Sequence, residues 1–177
     1  GEATRLGFDV IFAGEIDTRE KITLAFCAAE SGALVLGTLR CPSVVKALER
    51  IANAFSTDHQ QWARILLSNI LRCVSVQVLL NKADGNGRIP ANEILVGTAG
   101  VASAIREGYI SKLGTMIQSG GMEGMNTLDD ALMKRVDAGL VTPAEALLKA
   151  NDKGRFQAKV KSTDEAPAPP AAPRPAA

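Results

Sequence analysis

Two short apolar runs, Val10–Ala13 and Ala33–Leu39, flank a stretch of helical periodicity, all within about forty residues. Ile22, Ala25, Phe26 and Ala29 recur there at the spacing of one helical face. Asp17-Thr18-Arg19-Glu20, an acid with Glu three residues on, has the form of a capping box opening that helix. Gly32 stands where the helix should stop. Strand, helix, strand in so short a span is a βαβ unit, which predicts parallel strands and a right-handed crossover. Val10–Ala13 is apolar throughout and so reads as a strand buried on both faces. That pattern points to the α/β class.

The first run ends in Gly14-Glu15. A carboxylate leaving the C-terminal end of a buried strand stands where open α/β proteins bind ligands and where nucleotide hydrolases keep a water-positioning or metal-facing acid. The same residue also fits the start of a solvated loop, and these few positions leave both readings open.

Further along, Ser43 precedes a helix with Val44, Leu48, Ile51, Ala52 and Phe55 on one face. Asp58 with Gln61 opens a third, carrying Trp62, Ile65, Leu66 and Ile70 inward. Val74–Leu80 alternates like a strand with one polar face, and Asp84-Gly85-Asn86-Gly87 is a turn leading into Arg88–Val96, which predicts a hairpin. Arg88 falls where a calcium loop needs a ligand and the glycine is misplaced, so turn chemistry explains this segment better than an EF-hand. Gly100–Glu107, Tyr109–Gln118, Thr127–Ala138 and Pro143–Ala150 are short helical stretches, the last with Pro at its first turn. Asn126, Thr127 and Asp130 are candidate capping residues. From about Arg155 the composition turns to Lys, Ser, Pro and Ala, which predicts a disordered tail of polyproline character.

Bulk properties narrow the function. The 177 residues are 46% hydrophobic, enough for a core without metal or disulfide. A net charge of +1 argues against a generic nucleic-acid or membrane-surface binder. Cys27, Cys41 and Cys73 lack zinc spacing and read as free thiols of a reducing compartment. No apolar run approaches the ~20 residues of a membrane span, and no signal-peptide pattern opens the chain. His59, the single histidine, has no acidic or cysteine partner close in sequence and reads as a surface residue. Trp62 reads as a core or interface anchor, and nothing marks Cys41 as a nucleophile.

Taken in order, several segments resemble one family. DVIFAGE (Asp9–Glu15) is similar to a Walker B strand; AAESGALVLGTL (Ala28–Leu39) to the helix end and strand leading to a histidine box; and Ala47-Leu48-Glu49-Arg50-Ile51 to the helix after it. Glu93-Ile94-Leu95-Val96-Gly97-Thr98 and Ala104-Ile105-Arg106-Glu107 resemble an "EI…GT…IRE" segment. Ile117-Gln118-Ser119-Gly120-Gly121 with Gly124-Met125-Asn126-Thr127-Leu128-Asp129 resembles an "IQ-GG…GM-TLD" signature. The family is the secretion-superfamily ATPases, nearest their PilT-like motors for type IV pilus retraction and twitching motility. The resemblance covers roughly residues 3–150.

What the resemblance implies is an α/β fold: the C-terminal part of a RecA-like P-loop NTPase core over residues 1–98, a helical region over 99–154 and a tail over 155–177. It implies ATP and Mg²⁺ as cofactors, a homo-hexamer, and partners in an inner-membrane pilus platform protein and other pilus ATPases. It implies no nucleic acid, contact with the membrane only through those partners, and a cytoplasmic place at the inner face of the inner membrane. Glu15 would polarise the attacking water. Arg5, Asp9, Gly14 and Arg40 would stand near nucleotide or subunit interface, and Ile105, Arg106 and Glu107 would belong to an element needed for retraction. A solvated helix end is the plainer reading of Arg106 and Glu107.

The departures matter as much. Where the family has a histidine after Gly-Thr-Leu, Gly37-Thr38-Leu39 is followed by Arg40, which holds phosphate but cannot accept a proton. Cys41 and Pro42 replace small hydroxyl residues, Leu6, Gly7 and Phe8 separate Arg5 from Asp9 where acids are usual, and Asp17 and Thr18 stand in place of an Arg-Asp pair. Gly-x-x-x-x-Gly-Lys-Ser/Thr occurs nowhere in the chain, so the backbone cradle for the β- and γ-phosphates is expected upstream of Gly1. Two functions follow: part of a hexameric ATP-driven retraction motor, or a weakened or silent paralogue acting as a structural or regulatory subunit. The isolated chain is expected to lack ATPase activity.

Overall fold

A computed structural model describes residues 7–164, with side chains placed through residue 160. Arg5 and the Pro/Ala-rich end lie outside the described residues. The mixed α/β architecture follows the sequence closely at its start. β1 (Val10–Glu15), α1 (Arg19–Glu30) and β2 (Leu34–Thr38) form a βαβ unit whose strands pair in parallel. The helix is capped by Thr18, whose hydroxyl accepts from the Lys21 amide at 3.4 Å, and not by Asp17. Asp17 instead takes the Lys21 ammonium at 2.6 Å, a contact open to it because it lies one residue further out.

β1 is not buried on both faces as expected, and β2 is no more covered. Val10 is 56% and Phe12 73% exposed, and their register partners Leu34 and Leu36 are each 48% exposed. Ile11 and Val35, the alternate residues, are half-buried. In a sheet of two strands, no third layer among the described residues covers the second face.

α2 (Val44–Asn53), capped by Ser43, and α3 (Thr57–Ile70) follow, then the hairpin strands β3 (Cys73–Asn81) and β4 (Arg88–Val96). A six-residue connection leaves only antiparallel pairing possible. Its turn is set by Asp84, which accepts the Asn86 amide at 2.9 Å. α4 (Ala99–Arg106), a 3₁₀ turn (Ile110–Lys112), α5 (Leu113–Ser119), α6 (Leu128–Asp137), α7 (Pro143–Lys149) and α8 (Lys153–Asp164) complete the order. The Tyr109–Gln118 helix expected from sequence is thus a 3₁₀ turn followed by a shorter α-helix.

The chain forms two compact units. The first, residues 1–77 and 92–127, holds a core of Ile22, Phe26, Val44, Leu48, Leu67, Leu95, Ile105 and Leu113 with their neighbours. Each such side chain contributes on the order of 1.5–3 kcal/mol by leaving water. α3 presents Ala63 and Leu67 inward, with Leu66 and Ile70 beside them. Trp62 and Ile65 were expected inward too but are 44% and 39% exposed. The helix carries apolar residues on more than one face, and the narrow Ala63–Leu67 stripe suits close packing on α4. Trp62 still meets Phe55 edge-on, ring centroids 5.7 Å apart.

The second unit, residues 78–91 and 128 onward, gathers Leu80, Leu132, Val141, Ala146 and Phe156. Phe156 is fully buried and anchors α8, so ordered helix continues past Arg155, where a tail was expected to begin. Asp129, itself buried, accepts the Asn151 and Asp152 amides at 2.8 and 2.9 Å, fixing the approach to α8. No helix among the described residues is long and apolar enough to cross a membrane.

Candidate functional site

The β1–β2 register places Glu15. Val10, Ile11 and Phe12 pair with Leu34, Val35 and Leu36, but Gly14 and Glu15 pair with Gly37 and Thr38. One extra residue is therefore accommodated at Ala13, a bulge that brings Glu15 opposite Thr38 rather than Leu39. Gly14 makes this possible with φ +65°, a region that a side chain enters only with strain. The glycine of the Gly-Glu pair is thus the device that aims the glutamate.

Two residues beyond Thr38, Arg40 reaches back, and its Nε lies 3.2 Å from Glu15 Oε1. The side chains are 88% and 40% exposed, so the pair contributes about 0–1 kcal/mol. The Arg40 carbonyl accepts from Arg50 Nη1 at 3.0 Å, tying the loop to α2. Thus Glu15, Gly14 and Arg40 form one constellation at the C-terminal edge of the parallel strands. Asp9 sits at the opposite end, just before β1, where its carbonyl accepts the Leu34 amide at 2.8 Å. Cys41 is a free thiol beside Arg40.

A groove of about 1010 Å³ runs along β2 and the following loop, from Leu34 to Cys41, and is bounded opposite by Asn69–Gln77. Ile16, Phe26 and Leu48 contribute to its apolar wall. Arg40 is among the residues that line it. A guanidinium there suits an anionic group such as a phosphate.

Ile105, Arg106 and Glu107 lie elsewhere in the unit. Ile105 is fully buried. Arg106 braces α4 against α3, donating from Nε to Ser68 Oγ at 3.3 Å and from Nη2 to Asn69 Oδ1 at 3.1 Å. Its carbonyl accepts from Gln61 Nε2 at 3.4 Å, and Glu107 accepts from Ser103 Oγ at 2.9 Å. Arg106 is therefore part of the contact between the two helices, whereas Glu107, exposed and bonded only to Ser103 of its own helix, keeps the plainer reading of a solvated helix end.

Glu93 received no role from sequence. It lies on β4 with 9% exposure, and its Oε2 accepts the amide of Val44, the first residue of α2, at 2.7 Å. The signal was available: Ala91, Glu93 and Leu95 form the inward face of an alternating strand, with a carboxylate at its centre. His59 lies in the first turn of α3, sharing a 2.8 Å hydrogen bond between Nδ1 and Ser56 Oγ. Among the described residues no three His, Cys, Asp or Glu side chains gather as a metal site.

No protein-family model matches the chain. It is 39% identical over 144 residues to a twitching motility protein of Neisseria gonorrhoeae, an alignment covering 81% of this chain and 38% of that protein. It is 39% identical over 142 residues to the type IV pilus retraction ATPase PilT of Pseudomonas aeruginosa, covering 80% of this chain and 41% of that protein. The crystal structure of the pilus retraction motor PilT with bound ADP superposes with a TM-score of 0.78 at 32% identity, over 89% of this chain and 44% of that one. The chain thus spans about two-fifths of the relatives it matches. These likenesses, agreeing in sequence and in fold, make the chain a partial homologue within the PilT-like type IV pilus ATPases of the type II/IV secretion ATPase family.

Proposed function

We propose that this chain supplies the water-activating edge of an ATP-hydrolysing motor subunit for type IV pilus retraction. The observation that carries the reading is Glu15, aimed by the Gly14 bulge to the C-terminal edge of a parallel strand pair and met there by Arg40. A carboxylate so placed orients and polarises the water that attacks a terminal phosphoryl group. Arg40 offers charge to the oxygens that gain it in the transition state. β1 fills the place of a Walker B strand in this scheme.

The described residues fit only part of a nucleotide. They offer one carboxylate and one guanidinium, but the sequence has no glycine-rich loop with its Lys and Ser/Thr. The β- and γ-phosphates and Mg²⁺ have to be held by residues outside this sequence, and the chain alone is expected neither to bind ATP tightly nor to hydrolyse it. Hexamer formation, coupling to an inner-membrane platform protein and a cytoplasmic location belong to this reading, supported by kinship to the PilT ATPases. Arg106, bonded into the α3–α4 contact, would then transmit motion rather than touch nucleotide.

A second reading has its own observation. Arg40 stands where the family places histidine and occupies the Glu15 carboxylate directly, which suits a weakened or silent subunit regulating an active partner. ATP turnover by the full-length protein decides between them. The motor reading expects turnover that Glu15→Gln lowers about 10²-fold or more, in the range of positioned acid–base groups. No turnover in the unaltered protein, with an intact hexamer, favours the silent subunit. Equal rates in the unaltered protein and Glu15→Gln refute Glu15 as the acid.

A further inference from the structure

We infer that Glu93 is a positioning residue for the Arg40–Glu15 pair, acting through α2. The inference rests on the reading of Glu15 and Arg40 as parts of a hydrolytic site. The loop from β2 to α2 has only three residues between Arg40 and Val44: Cys41, Pro42 and Ser43. Both ends of that loop are tied to α2. At its start the Arg40 carbonyl accepts from Arg50, three residues before the helix end, and at its close Val44 is the first helical residue. The placement of α2 therefore sets where the Arg40 backbone sits, and the guanidinium carries that placement to Glu15.

What fixes α2 along its axis is Glu93. The hairpin strand β4 and the helix are 49 residues apart in sequence, and the 2.7 Å bond from the Val44 amide to Glu93 Oε2 joins them inside the core. The helix already has an N-cap, since Ser43 Oγ accepts the Lys46 amide at 3.3 Å. Glu93 takes a different orphan donor of the first turn, and its negative charge faces the positive end of the helix. Val44 is itself fully buried, so without Glu93 its amide would have no water to turn to. An apolar residue at position 93 would suit the surrounding core better than a buried acid does. The carboxylate is explained by the amide it holds and by what that amide positions.

The test uses ATP turnover of the full-length protein with Glu93→Gln and Glu93→Ala, each alone and combined with Arg40→Gln. Glutamine keeps an acceptor for the Val44 amide and should leave kcat within about threefold. Alanine should lower kcat about 10-fold or more with little change in KM, since misplacement by about 1 Å costs up to about 10²-fold. In the Arg40→Gln background, Glu93→Ala should add less than about twofold, because the group it positions is already gone. Equal losses in both backgrounds would make Glu93 merely structural and overturn the inference. A second readout needs no catalysis: amide exchange in the 177-residue chain. Glu93→Ala should speed exchange at Val44, whose amide Glu93 holds, and at Ala47, bonded to the Ser43 carbonyl, while α8 stays protected, and Glu93→Gln should spare both. Unchanged exchange at Val44 in Glu93→Ala would also overturn it. Failure of the hydrolytic reading shows separately, as turnover indifferent to Glu15→Gln.

Discussion

Gly97 illustrates how a single hydrogen atom decides whether the first unit can close. Its φ is not in the left-handed region, so the constraint is space. A Cβ built there would lie 2.2 Å from the Leu71 carbonyl oxygen and 3.1 Å from its carbon. Both are backbone atoms that no rotamer change can move aside. The Gly97 amide also donates to Arg72 O at 2.8 Å, so pushing the segments apart strains that bond too. Overpacking of this kind costs about 1–3 kcal/mol. A weakened hydrogen bond adds about 0.5–1.5 kcal/mol, and the lower entropy of the unfolded Ala chain returns about 0.4–1 kcal/mol. Gly97→Ala should therefore destabilise the first unit by roughly 2–3 kcal/mol. In urea, followed by the fluorescence of Trp62, that lowers the midpoint by about 1 M, taking a slope of about 2 kcal/mol/M. Gly114 provides the control: no atom lies within 4 Å of its added Cβ, and it stands at the start of α5. Gly114→Ala should be neutral or stabilising by up to about 1 kcal/mol. A Gly97→Ala midpoint within about 0.3 M of the unaltered chain would refute the close-approach argument.

Three further outcomes follow from the same geometry. Asp129→Ala, which strands the Asn151 and Asp152 amides, should destabilise the second unit by about 2–4 kcal/mol, while Asp129→Asn loses about half as much; amide exchange along α8 reads both. At the N-terminus of α1, the Lys21 ammonium holds Asp17 below its ordinary value of 3.8, and backbone and Thr18 hydrogen bonds hold Glu20 below 4.5. Folded values that are depressed give stability present above the ordinary values and lost as pH falls through the lower ones, so α1 should begin to fray below about pH 4, and Asp17→Asn should flatten that profile in an NMR titration. Gly14→Ala meets no atom within 4 Å, so it should cost only the φ strain of about 1–2 kcal/mol, yet it should lower ATP turnover of the full-length protein well beyond that loss of stability, as measured by kcat against melting temperature.

The elements were largely legible in the sequence because their signals are local. Ser43 and Thr142 each cap a helix where a hydroxyl precedes an apolar period, and the Asp84–Gly87 turn makes its hairpin. Errors came where tertiary context decides. Val10 and Phe12 look like strand core, but burial depends on a covering layer that no single strand encodes. Trp62 and Ile65 sit on a helix with more than one apolar face, and only the α4 contact selects Ala63 and Leu67. Thr18 and Asp17 are adjacent potential caps, and the pairing of Asp17 with Lys21 separates them.

The candidate site was legible in its residues and not in its geometry. Gly14-Glu15 and Arg40 stand out in the chain, but the bulge that brings Glu15 opposite Thr38, and hence within reach of Arg40, is a property of register. The glycine-rich signature near residue 120 has a structural basis of its own. A Cβ on Gly120 would lie 2.5 Å from Met125 Sδ and 2.9 Å from Met116 O, so the motif serves packing as well as kinship. The alternation of β4 marks Glu93 as an inward acid, but its partner, 49 residues away, carries no signal of its own.

The central claim is that Glu15 acts in the chemical step and not in holding nucleotide. The most direct measurement is single-turnover hydrolysis of ATP already bound to the full-length Glu15→Gln protein, with the dissociation constant measured alongside. ATP should bind within about threefold of the unaltered protein while its cleavage slows about 10²-fold or more. Loss of binding in step with cleavage, or cleavage at the unaltered rate, would contradict the account.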